Sequence, residues 1–159
     1  MPSILPAPNL TGILQNEHLP SSFRSRNEPT VLADIYQEEV NIAVWQLQFD
    51  QTLVEATNQF ISSNPSFNKS LDVSPENTYE ALQYATDGST PEILLRNIAD
   101  LVDMFCYLFE LKSAGLRLAT LTSAMCPRFH VDQVPCRLVT TYHGTATQWL
   151  TNDAIDRSK

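Results

Sequence analysis

The stretch STPEILLRNIADLVDMFCYLFELKSAGLRLATL, residues 89–121, decides the fold because the spacing of its apolar residues changes within it. Up to Leu111 the apolar side chains recur at intervals of three and four residues, which places them on one face of a helix. Ser89–Glu92 supplies a cap residue, a first-turn proline and an acid, so we predict a helix over about residues 91–113 that ends before Gly115. Beyond that glycine the apolar residues alternate, which is typical of a β-strand.

The same change of periodicity separates the two halves of the chain. Residues 50–61 also show helical apolar spacing, with Asp50 as a candidate N-cap. Leu116–Leu121 and Arg137–Tyr142 are instead rich in leucine, valine, threonine and tyrosine at strand spacing. We therefore predict an α+β fold, in which N-terminal helices pack on an antiparallel sheet built from residues 116–149.

The length of 159 residues suits one domain. Residues 1–30 contain five prolines, which disfavour both helices and central strands, so we expect an extended N-terminal arm followed by a single α+β domain over residues 31–159. Within that domain we expect a short helix opening at residues 34–36, a strand within residues 41–49 and a short helix within residues 74–88.

Charge and hydropathy exclude several classes of function. The net charge is -8 and no cluster of basic residues interrupts it, so nucleic acid and anionic membrane surfaces are poor partners. No apolar run reaches the roughly 18 residues needed to span a bilayer, and the N-terminus lacks a signal pattern, so we expect a cytoplasmic protein. Cys106, Cys126 and Cys136 form no Cys-x-x-Cys pair, and we expect free thiols.

A His-x-Asp pair is the strongest chemical signal. If the chain around His130 is extended, the side chains of Arg128, His130 and Asp132 share one face. Phe129 and Val131 then point to the opposite face, where we expect them to be buried. An imidazole nitrogen and a carboxylate oxygen make two of the three ligands of the 2-His-1-carboxylate site of non-haem Fe(II) oxygenases. The alternative is a surface histidine paired with a carboxylate.

Other residues could complete or serve such a metal site. His143 is a candidate third ligand if its strand pairs with that of His130. Cys126 and Cys136 could instead join the histidines in a zinc-type site, although their spacing fits no standard zinc motif. Arg128 and Arg137 are candidate substrate-binding residues, because a guanidinium holds a carboxylate in two hydrogen bonds. The alternatives are a solvated histidine, inert cysteines and arginines that neutralise acids.

The region around this pair resembles a known family, the bacterial domain of unknown function numbered 1826. The resemblance extends over about residues 98–150, and its motifs are GLRL at 115–118, MCPRFHVD at 125–132, RLVTTY at 137–142 and WL at 149–150. It implies a partial double-stranded β-helix, similar to a cupin or jelly roll, with a further ligand in a downstream histidine-arginine segment. The chain continues for 27 residues after Asp132 without that segment. From the resemblance we therefore expect a domain that is incomplete at its C-terminus.

Two functions are consistent with these observations. One is an Fe(II)- and 2-oxoglutarate-dependent oxygenase-like protein, with His130 and Asp132 as ligands and Arg128 or Arg137 holding the carboxylate. The other is a non-catalytic metal-binding protein that holds Zn(II), since the resemblance also implies an association with zinc homeostasis. In both, the partner is a metal ion or small molecule. Because a double-stranded β-helix needs about eight strands and this sequence supplies three or four, we also expect homo-oligomers through open sheet edges.

Overall fold

The computed structural model describes residues 21–123, 126, 128–150 and 154–156. Contacts between Cα atoms divide the chain into two compact units. One unit comprises residues 1–48 and 144–159, and the other comprises residues 49–143.

The first unit contains a small parallel sheet. Strand β1, Phe23–Arg26, pairs with strand β2, Ile42–Trp45, along their whole length. A 3-10 helix, Pro29–Tyr36, connects them, and a proline at its start is favourable because no backbone donor is lost there. The ring of Trp149 stacks on that of Phe23, with 4.6 Å between the ring centroids.

The second unit carries three helices and an antiparallel sheet of two strands among the residues described. In chain order its elements are α1 (Gln51–Ser63), β3 (Asn68–Val73), α2 (Thr78–Ala85), α3 (Glu92–Leu108) and β4 (Ala114–Ala119). Strand β3 pairs with β4 in a register that runs from Asn68 opposite Ala119 to Val73 opposite Ala114.

The core of this unit lies where the helices meet the sheet. Its buried apolar residues come from all three helices: Leu53, Phe60, Leu82, Leu94, Leu95 and Ile98. Leu71 of β3 and Leu116 of β4 pack against this cluster from the sheet. Burial of a leucine or phenylalanine side chain contributes about 1.5–3 kcal/mol, so this cluster is the main source of stability in the unit.

Local backbone and side-chain hydrogen bonds fix the start of α1 and the end of α3. The carboxylate of Asp50 accepts a hydrogen bond of 2.8 Å from the backbone N–H of Leu53, as the predicted N-cap of α1 requires. Helix α3 ends more than a turn earlier than the spacing predicts. Glu110 takes a left-handed conformation with φ of 52°, and its N–H and that of Leu111 donate to carbonyls of the last helical turn. This pair of bonds is a Schellman motif, which ends the helix.

The predicted α+β class is confirmed, as are the helices of the second unit and the strand β2. The predicted sheet of residues 116–149 is wrong, because β4 pairs with β3 and the described residues beyond Ala119 form no strand. These residues form no double-stranded β-helix. The alternating residues of Arg137–Tyr142 remain irregular because Tyr142 packs against the helical core instead of a neighbouring strand.

Most of the predicted arm, residues 1–30, lies outside the described part of the chain. Its described end forms β1 and the start of the 3-10 helix. The single domain over residues 31–159 stays a prediction. Across the residues that the structure describes, each helix is too short or too polar to cross a bilayer.

Candidate functional site

The segment from residue 128 to residue 143 carries the predicted site and follows β4 without regular secondary structure. Its end is attached to the helical core through Tyr142. The Tyr142 hydroxyl donates a hydrogen bond of 2.7 Å to Oδ1 of Asn97 on α3. The ring stacks on Phe49, with centroids 5.1 Å apart and planes inclined by 10°. Burial of the phenol raises the pKa of Tyr142, and the nearby Asp100 carboxylate raises it further.

Three side chains of this segment meet at one carboxylate oxygen. His130 Nε2 lies 3.5 Å from Asp132 Oδ1. The Arg137 guanidinium places Nη1 3.2 Å from the same oxygen. All three groups remain accessible to solvent, with 53% of the His130 side chain, 37% of Asp132 and 52% of Arg137 exposed. These three side chains, called the His130–Asp132–Arg137 cluster, are therefore open to a ligand from solution.

The contact made by Nδ1 of His130 determines whether Nε2 is a hydrogen-bond donor or an acceptor. His130 Nδ1 lies 3.1 Å from the backbone carbonyl oxygen of Arg128. A carbonyl oxygen only accepts, so Nδ1 must carry the hydrogen. In the neutral imidazole the lone pair is then on Nε2, which faces the carboxylate of Asp132, also an acceptor. Nε2 and Oδ1 are then two acceptors that face each other, an arrangement that a metal ion or a proton between them would stabilise.

The environment of the pair differs from the predicted strand. Phe129 is 62% exposed and Val131 67% exposed, so the prediction that they are buried is wrong. Residues 128–135 are all exposed, so this part of the segment has no covered face. His130 and Asp132 nevertheless face each other, with Nε2 and Oδ1 3.5 Å apart, as predicted for side chains two residues apart.

The remaining predicted site residues lie apart from this pair. Cys126 is exposed, Cys136 is half-buried and His143 is exposed. Desolvation raises the pKa of the Cys136 thiol, which disfavours the thiolate that binds metal. In the described ranges, no group of three or more histidine, cysteine, aspartate or glutamate residues is arranged to hold a metal ion. All three cysteines are free, as predicted, and Cys106 is buried in α3.

The two arginines have different roles. Arg128 enters the cluster through its backbone carbonyl, whereas Arg137 enters through its side chain. The alternative in which an arginine neutralises Asp132 therefore describes Arg137. Sequence reasoning missed Asn97 and Phe49, which anchor the segment. Asn97 carried a weak signal, since it is a polar residue beside the apolar stripe of α3.

Comparison with known proteins gives a family and no activity. A family model described as "Protein of unknown function (DUF1826)" matches residues 26–159, a range that includes the whole cluster. No curated protein and no solved structure matches the chain. Since the family model covers all but the first 25 residues, the chain belongs to this family of proteins of unknown function.

Proposed function

We propose that this protein binds a divalent transition-metal ion through His130 Nε2 and Asp132 Oδ1. The observation that carries the proposal is the approach of these two acceptors to 3.5 Å while the other imidazole nitrogen contacts a carbonyl. A metal ion between them would satisfy both lone pairs. The carbonyl of Arg128 would then hold the imidazole in the tautomer that metal binding requires, as outer hydrogen bonds do in known sites.

The distance between the two donors also constrains the metal. With metal–ligand bonds of about 2.1 Å, donors 3.5 Å apart subtend an angle of about 113° at the ion. This angle is near the tetrahedral value that Zn(II) prefers. A right angle, as in an octahedral Fe(II) site, would bring the donors to about 3.0 Å, a closure of about 0.5 Å. Exposed side chains in an irregular segment could make that adjustment.

Two protein ligands leave coordination positions for water or an added ligand. Open positions are the feature that distinguishes a catalytic metal site from a closed structural one. In the catalytic version of the proposal, the protein is an Fe(II)- and 2-oxoglutarate-dependent oxygenase-like enzyme. Arg137 would hold the carboxylate of 2-oxoglutarate, because its guanidinium already lies beside the ligand pair. Arg128 is the second candidate for this role.

The second candidate function is non-catalytic zinc binding, concerned with zinc homeostasis. The near-tetrahedral angle favours it. The two versions differ in metal preference and in reactivity. Oxidative decarboxylation of 2-oxoglutarate by O2 and the Fe(II)-loaded protein, measured as formation of succinate and CO2, would support the enzyme. Tight Zn(II) binding with no such turnover would support the zinc-binding protein.

Calorimetric titration tests the proposal. Protein purified without chelator would be titrated with Zn(II), and with Fe(II) under anaerobic conditions, at neutral pH where imidazole is mostly unprotonated. We expect one ion per chain for the wild type and no stoichiometric binding for His130→Ala or Asp132→Asn. Asp103→Asn, which removes the same charge from an exposed position on α3, is the matched control and should bind like the wild type.

Two outcomes would contradict the proposal. One is a wild type that binds neither metal, which would leave the pair as a surface histidine beside a carboxylate. The other is an unchanged affinity in both site variants. His143→Ala tests whether His143 is a third ligand, since it should lower the affinity for metal only if His143 reaches the bound ion.

A further inference from the structure

We infer that Arg137 competes with the metal ion for Asp132, and so sets how tightly the site binds metal. This inference rests on the proposed function. Its basis is that Arg137 Nη1 and His130 Nε2 approach the same oxygen of Asp132, at 3.2 Å and 3.5 Å. An ion bound between His130 and Asp132 must use the oxygen that Arg137 already contacts.

The charges make the two states mutually unfavourable. The Asp132 carboxylate is paired with the Arg137 guanidinium, which offsets its negative charge. A divalent ion on Oδ1 would be held a few ångströms from that permanent positive charge. Arginine does not lose its proton in proteins, so the repulsion that solvent does not screen is relieved when the side chain moves away. With half of its side chain exposed, Arg137 has solvent to move into.

The size of the effect follows from this exposure. An exposed ion pair contributes little to stability, and solvent screens repulsion between exposed charges. We expect removal of the Arg137 charge to tighten metal binding by about threefold to tenfold, rather than by several orders of magnitude.

Zinc titration of Arg137 variants tests the inference. Arg137→Gln should bind Zn(II) about threefold to tenfold more tightly than the wild type. Arg137→Lys keeps a cation near Asp132 and should stay within about twofold of the wild type. Arg117→Gln removes the same charge from an exposed position on β4 and controls for the net charge of the protein. Circular dichroism of each variant establishes that it is folded.

The outcomes separate this inference from the proposed function. If the wild type binds zinc and Arg137→Gln binds it equally or more weakly, Arg137 orients Asp132 rather than competing for it, and the inference is overturned. Equal tightening in Arg117→Gln, or tightening in Arg137→Lys as large as in Arg137→Gln, also overturns it. If neither the wild type nor any variant binds zinc, the proposed function itself has failed.

Discussion

Replacement of Tyr142 by phenylalanine should destabilise the protein by a predictable amount. The substitution removes one hydroxyl oxygen and keeps the ring that stacks on Phe49. The lost bond is a 2.7 Å hydrogen bond to Oδ1 of Asn97. A hydrogen bond between uncharged groups contributes about 0.5–1.5 kcal/mol, and an acceptor left unpaired in the interior costs more. Since Asn97 is only partly buried, water can replace part of the interaction, and we expect a loss of about 1 kcal/mol.

A double-mutant cycle measures this interaction directly. The free energy of unfolding would be determined by urea denaturation for the wild type, Tyr142→Phe, Asn97→Ala and the double variant. We expect a coupling energy of about 0.5–1.5 kcal/mol between the two positions. A coupling energy of zero would refute the argument, because it would mean that the hydroxyl and the amide do not interact in solution.

The same residue predicts how stability depends on alkaline pH. Burial raises the pKa of Tyr142 in the folded state, whereas an unfolded tyrosine ionises near pH 10. The folded protein therefore holds this proton longer than the unfolded chain. Its contribution to stability is complete below about pH 10 and is lost as the pH rises above that value. Tyr142→Phe should show a shallower decline in this range. Parallel curves for the two proteins would contradict the assignment.

Two further substitutions test the ends of the helices. Asp50→Ala removes the N-cap of α1 and should cost about 1 kcal/mol by urea denaturation, whereas Asp50→Asn, which can still accept the bond from Leu53, should cost much less. Glu110→Gly should stabilise the protein by about 0.5–1 kcal/mol, because glycine adopts the left-handed conformation at the end of α3 without strain. Glu110→Ala retains a Cβ atom and should gain less, and an equal gain would indicate that charge rather than conformation is responsible.

The sequence was sufficient where the determining interactions are local. Helices α1 and α3 were predicted because their apolar periodicity lies within the segments themselves, and the Asp50 cap of α1 was predicted from an equally local signal. The predicted cap of α3 was wrong, since that helix begins after Pro91 without a side-chain cap. The proximity of His130 and Asp132 is also local, since only one residue separates them in the chain. That argument does not depend on whether the segment belongs to a sheet.

The tertiary structure decided everything that depends on a distant partner. A strand is stable only when another segment supplies its hydrogen bonds, and alternating residues do not specify which segment that is. The periodicity of β4 therefore predicted a strand but not its partner β3. The similar pattern of Arg137–Tyr142 also predicted a strand, but Tyr142 instead contacts Asn97 of α3. The sequence by itself predicted the contact of His130 with Asp132, because these residues are near neighbours in the chain. The contact of Arg137 with Asp132 depends on how the irregular segment folds, so only the tertiary structure shows it.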